Sequence, residues 1–224
     1  MLVTLGLTRL ASRKPLSATD FGYDTKPLSK KNIIIIASVF VVTHAAFILL
    51  SKIGGVTTNA KAEFLSTGFG KGFTSDLILI ISVVIFAPVV EELVYRGVML
   101  RAMHDGLLKF FPKSRSIIGI PALVAISFTA IAFILPHVSN LSVNVYTVSY
   151  FITSAGFSVV YLATRSMVAA MVSHSLQSCN AFGQLLVFGH GDVVVSPIIY
   201  GIAFLCPVIV YFIGVGIGHF FSRP

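Results

Sequence analysis

The sequence predicts an all-α, polytopic transmembrane helix bundle, and three observations carry that prediction. Of its 224 residues 56% are hydrophobic and only 11% charged, whereas an ordinary soluble domain is about 25% charged. The mean hydropathy is +0.94. Residues 32–50, 117–161 and 166–191 contain no charged side chain, and each stretch supplies the roughly 20 helical residues that cross a hydrocarbon core of about 30 Å. A transmembrane β-barrel would need short segments alternating apolar and polar residues. Ile33-Ile34-Ile35-Ile36 and Val193-Val194-Val195 are continuous instead, and helices satisfy their backbone groups internally.

Taken in order, residues 1–31 read as a polar leader. It lacks the compact basic, apolar and cleavage-site regions of a secretory signal, because Arg9, Arg13 and Lys14 follow the first apolar residues and Pro15 interrupts the pattern. Residues 32–224 are expected to form a single transmembrane bundle. The first span is placed at 33–51, and Lys26, Lys30 and Lys31 ahead of it argue for a cytoplasmic N-terminus. A glycine-rich loop follows at 52–72, then a second span at 73–90.

Met99 to Phe111 differs in kind, since Arg101, His104, Asp105 and Lys109 interleave with apolar residues. This pattern predicts an amphipathic or partly inserted helix, with the i, i+4 pairs Arg101–Asp105 and Asp105–Lys109 on an exposed face and Pro112 at its end. Later spans are placed at 117–135, 143–163, 167–189 and 196–219, with Pro121, Pro136, Pro197 and Pro207 at starts, ends or kinks. The expected total is six to eight membrane helices, including the amphipathic one.

The net charge of +8 lies mostly in segments that flank spans. Anionic headgroups and topology account for it, and nucleic acid is excluded as a partner. Cys179 and Cys206 lie in apolar segments without ligand-type spacing and read as small apolar side chains.

The chemistry concentrates at Glu91-Glu92-Leu93-Val94-Tyr95-Arg96, which ends the apolar run Leu77 to Val90. Ionisable groups at the edge of hydrocarbon are expensive unless paired, watered or employed. In a continuing helix Glu92 and Arg96 share a face, while Glu91 points about 100° away. One carboxylate would then be held by the arginine and the other left to take a proton from water. Snorkelling charges at a helix end are the plainer alternative. Pro88 frees a backbone carbonyl nearby and opens space for water.

His137 closes Phe133-Ile134-Leu135-Pro136-His137, with Phe133 one turn earlier to wall off the imidazole. It could orient a water, bind a metal or be a surface loop histidine. His174 lies in the most polar span, with Ser178 four residues on and sharing its face. That stripe could serve as an oxyanion site or as polar glue between helices. His44 suits an interhelical hydrogen bond, His104 belongs to the amphipathic face, and His190 and His219 lie near turns and span ends. No HExxH helix, GxSxG elbow or GxxxxGK loop is present.

Glu-Glu with Arg, then Phe-x-x-x-His, then His, each in a different membrane segment, resembles the CAAX-protease and bacteriocin-processing (Abi-type) family of intramembrane proteases. The resemblance covers about 73–188. It has Tyr95 where phenylalanine is usual and Ser178 where the third motif asks for asparagine or a similar polar residue. It implies an endopeptidase in which Glu91, Glu92 and His137 activate water, while His174 with Ser178 stabilises the tetrahedral oxyanion. The substrate would be a membrane-associated or lipidated protein or peptide, and the expected location a bacterial cytoplasmic membrane in contact with its lipids. No cofactor is certain from the resemblance, and zinc is possible. Zinc could be held by Glu91, Glu92, His137 and His174, and one carboxylate base with histidine donors would also suffice. A non-proteolytic scaffold or immunity protein of the same fold is the rival reading. A transporter with the glutamates as a proton relay is the third.

Overall fold

The computed structural model describes residues 28–53, 68–114, 116–138, 143–188 and 196–221, so most of the leader and of the 52–72 loop, together with Arg115 and His190, lie outside the described residues. Those described residues fold into six helices: α1 (Lys30–Ile53), α2 (Phe73–Phe110), α3 (Ile120–Ile134), α4 (Val145–Thr164), α5 (Met167–Phe188) and α6 (Pro197–Phe221). The bundle is all-α and the protein is an integral membrane protein. Its outer faces carry exposed apolar side chains such as Ile34, Val42 and Leu49 on α1 and Phe204, Leu205 and Phe212 on α6. Arg96, Glu92, Ser154 and Ser175 are fully buried. An apolar exterior around a polar interior suits lipid as the solvent.

The number of spans is smaller than the six to eight expected. Four helices among the described residues, α1, α2, α4 and α6, are long and apolar enough to cross a membrane. α3 is apolar but has 15 residues, about 22 Å at 1.5 Å per residue, which falls short of the core thickness. α5 has the length, at 22 residues, but Ser173, His174, Ser175, Gln177, Ser178 and Asn180 give it a polar character.

A second correction concerns the amphipathic helix, which is not separate. It is the C-terminal part of α2, a 38-residue helix in which the glutamate pair lies well inside rather than at an end. Pro88 does not break this helix, because the turns before it widen to π geometry over Ile81–Phe86 and Ala87 N–H bonds back to Ser82 O. A second π stretch, Leu93–Leu100, follows the α-helical segment Ala87–Glu92. π turns inside α-helices are rare and frequent at functional sites. α2 stops at Phe110, ahead of Pro112, as expected. Arg101 and Asp105 form the predicted pair at 3.6 Å. His104, expected on an exposed face, is instead buried and lies 3.2 Å from Asp105, because the bundle covers that side of the helix.

At the start of α2, Gly68, Gly70 and Gly72 have φ of 96°, 83° and 134°, a region closed to most side chains. The buried Asp76 carboxylate accepts from Gly70 N–H at 2.6 Å and fixes this loop. α5 packs between α2, α4 and α6, and α3 packs on α4. α1 lies against α4 where Gly156 faces Thr43 and Val39.

Candidate active site

The site forms where α2, the end of α3, α4 and α5 converge. The pairing that the i, i+4 spacing predicts is made: Arg96 Nη1 donates to Glu92 Oε1 at 3.0 Å, and neither side chain is exposed. Arg96 Nη2 also donates to the backbone oxygen and the hydroxyl of Ser154 on α4, both at 2.6 Å. The guanidinium lies 5.9, 5.2 and 5.4 Å from the ring centres of Tyr95, Phe133 and Phe157. A buried cation needs such compensation on every side.

His174 enters from α5. Its Nδ1 is 2.9 Å from Glu92 Oε1, the oxygen that Arg96 holds. A carboxylate only accepts, so Nδ1 carries the proton and Nε2 is left on the side of Glu91, 3.9 Å from its Oε2. The imidazole is stacked on Phe157 at 4.5 Å and meets Phe133 edge-on at 5.8 Å.

His137 sits in the turn that closes α3, where its N–H bonds to Ile134 O at 2.8 Å. Its Nδ1 donates to Phe133 O at 2.7 Å, again leaving Nε2 free of that role. The ring lies between Phe133, stacked at 4.3 Å, and Tyr150 of α4 at 5.4 Å.

Glu91 completes the cluster and differs sharply from Glu92. Its side chain is 26% exposed against 0% for Glu92, so it is the carboxylate that can meet water. Glu91 Oε2 lies 3.8 Å from His137 Nε2 and 3.9 Å from His174 Nε2. That oxygen is itself buried and makes no hydrogen bond. Distances of this size are those that one interposed water spans with bent bonds.

Of the six residues read from the sequence, Glu91, Glu92, Arg96, His137 and His174 therefore come together. Ser178 lies one turn beyond His174, half-buried, and among the described residues it is not part of the cluster's hydrogen bonds. Asn180 is turned away and donates to His44 Nδ1 of α1 at 3.2 Å, the interhelical bond expected of His44.

Ser154, Phe157 and Tyr150 were missed. The only trace of Ser154 in the sequence is its i, i+4 partner Ser158 in an apolar span, whose hydroxyl bonds to Ser154 O at 3.1 Å. Near Pro88 the Val84 carbonyl accepts from Ser175 Oγ at 2.7 Å, so a side chain rather than water serves that buried acceptor.

Zinc fits this donor set poorly. Two ligands at about 2.0–2.1 Å on a tetrahedral zinc stand about 3.3–3.4 Å apart. The Glu91–histidine separations of 3.8 and 3.9 Å are wider, and Glu92 Oε1 is engaged by Arg96 and His174. Among the described residues no group of three or more His, Cys, Asp or Glu could hold a metal ion.

An all-α membrane bundle with buried histidine–glutamate contacts defines the class. Residues 73–182 match the family model described as Type II CAAX prenyl endopeptidase Rce1-like, and this part of the chain is a domain of the CAAX-protease family. No curated protein and no solved structure matches the chain.

Proposed function

We propose that the protein is an intramembrane endopeptidase that hydrolyses a peptide bond of a membrane-associated or lipidated protein or peptide. The observation that carries this reading is the unbonded Glu91 Oε2 set between two histidine Nε2 atoms at 3.8 and 3.9 Å. A water held there donates one hydrogen to Glu91 and the other to His137 Nε2. As the water attacks the scissile carbonyl carbon, Glu91 accepts its proton and the carbonyl oxygen becomes an oxyanion. In its imidazolium form His174 donates Nε2–H to that oxygen, and the charge it carries faces Glu92 across the 2.9 Å bond. Collapse of the tetrahedral intermediate breaks the C–N bond, and the proton on Glu91 passes to the leaving amine.

Charge arithmetic supports the same division. Glu91, Glu92 and Arg96 together carry one net negative charge, and a protonated His174 brings the cluster to zero. An uncompensated charge in the bundle interior costs several kcal/mol.

Ser178 is a candidate second oxyanion donor that a bound substrate would have to approach. The lysines at 26, 30 and 31 support a cytoplasmic N-terminus, and a bacterial cytoplasmic membrane is the proposed location.

The test is a comparison of membrane proteomes from cells carrying wild type or Glu91→Gln, followed by cleavage of the accumulated precursor by purified protein. Glu91→Gln is expected to lose roughly a hundredfold or more in turnover, the usual contribution of a general base. His174→Ala should lose about as much, since an oxyanion donor contributes about 3–4 kcal/mol. Wild-type cleavage rates in either variant would overturn the reading. In the scaffold reading Glu91→Gln leaves the phenotype intact.

A further inference from the structure

The helix that carries the glutamates and the helix that carries His174 are joined by a second buried hydrogen bond besides Glu92–His174. Ser175, the neighbour of His174 on α5, donates its hydroxyl to Val84 O on α2 at 2.7 Å, and both residues are fully buried. Val84 lies within the π turns at Ile81–Phe86, where backbone bonds run five residues back, as from Ala87 N–H to Ser82 O. A buried acceptor on the glutamate helix is thus taken by the side chain next to the histidine.

We propose that Ser175 is a positioning residue, and that the Ser175–Val84 bond sets the register of α5 against α2 so that His174 meets Glu92 and Glu91. This inference rests on the proposed protease reading for its kinetic consequence, but its geometric content is independent of that reading. With the hydroxyl removed, His174 keeps its contacts with Glu92 at 2.9 Å and Glu91 at 3.9 Å, but the anchor one residue along α5 is gone. α5 can then slide or rotate, and displacements of about 1 Å at a reacting centre cost up to about a hundredfold in rate.

The experiment separates positioning from simple stability with the conservative variant and a readout at His174. Ser175→Ala removes the side-chain donor to the buried Val84 O, so the thermal midpoint in detergent should fall. Its kcat should drop about tenfold or more with KM little changed. Ser175→Thr keeps the hydroxyl and should keep most of kcat.

A wild-type kcat in Ser175→Ala would overturn the proposal. The 15N shift of His174 Nδ1, which reports its bond to Glu92, reads the same register without any substrate. It should move in Ser175→Ala and hold in Ser175→Thr. If the wild type cleaves nothing while this signal behaves so, the protease reading fails and the positioning role stands. An unmoved signal in Ser175→Ala sinks the positioning role.

Discussion

A guanidinium with no exposed surface needs partners, and Arg96 draws them from Glu92 and Ser154 at its two terminal nitrogens and from three aromatic rings, while its Nε makes no hydrogen bond. The two neighbouring glutamates consequently differ in what their removal should do. Glu92→Gln leaves the arginine without its counter-charge and weakens the hold on His174 Nδ1, and breaking a buried pair costs about 3–5 kcal/mol. Glu91 is partly exposed and has no such structural partner, so Glu91→Gln should keep the thermal midpoint of the wild type while losing activity. Unfolding of the two purified variants in the same detergent checks this. Equal destabilisation would show that Glu91 is also structural. Half of this difference was legible in the sequence, where Glu92 and Arg96 stand four apart. The other half was not, because Ser154 and His174 lie 58 and 82 residues from their partners.

At the level of elements, α1 is the least embedded helix, with only Ile36 and Thr43 buried along its length. It approaches α4 at Gly156, where an added Cβ would lie 2.8 Å from the Thr43 methyl and 3.0 Å from Val39 Cγ1. Small residues let membrane helices come this close, and packing rather than hydrophobicity holds them there. Gly156→Leu should therefore push α1 off α4 and break the His44–Asn180 bond. The expected loss is about 1–3 kcal/mol, the usual cost of overpacking. A lowered midpoint with an intact Glu92–His174 bond is the expected result, because the cluster sits on α2, α3, α4 and α5. An unchanged midpoint would mean that α1 yields freely.

The whole molecule is shaped by the length of α2. At 38 residues it runs about 57 Å, nearly twice the roughly 30 Å hydrocarbon core. The apolar part holds the glutamates, and the part bearing Arg101, Asp105 and Lys109 continues toward water. Single cysteines placed in a Cys179→Ala/Cys206→Ala background test this arrangement. Lys109→Cys should react with a membrane-impermeant thiol reagent in intact vesicles opened on the correct side, and Ile78→Cys should not. Reaction at both positions would remove the membrane placement of α2.

By itself the sequence determined that this is a helical membrane bundle, that Glu92 pairs with Arg96, and that Glu91, His137 and His174 are its candidate chemical groups. Those conclusions follow from local quantities: the length of apolar runs, the i, i+4 spacing, and the scarcity of ionisable residues in hydrocarbon. Tertiary structure alone decided that α2 runs unbroken through Pro88, that His104 is buried, and that among the described residues four helices rather than six meet the length and hydropathy of a span. It also decided which glutamate is sealed and which is open. The turns ahead of Pro88 widen to π geometry, and a carbonyl inside them, Val84 O, finds its side-chain donor in Ser175 of another helix, 91 residues away. Such long-range satisfaction of buried polar groups leaves no periodic signal in the chain.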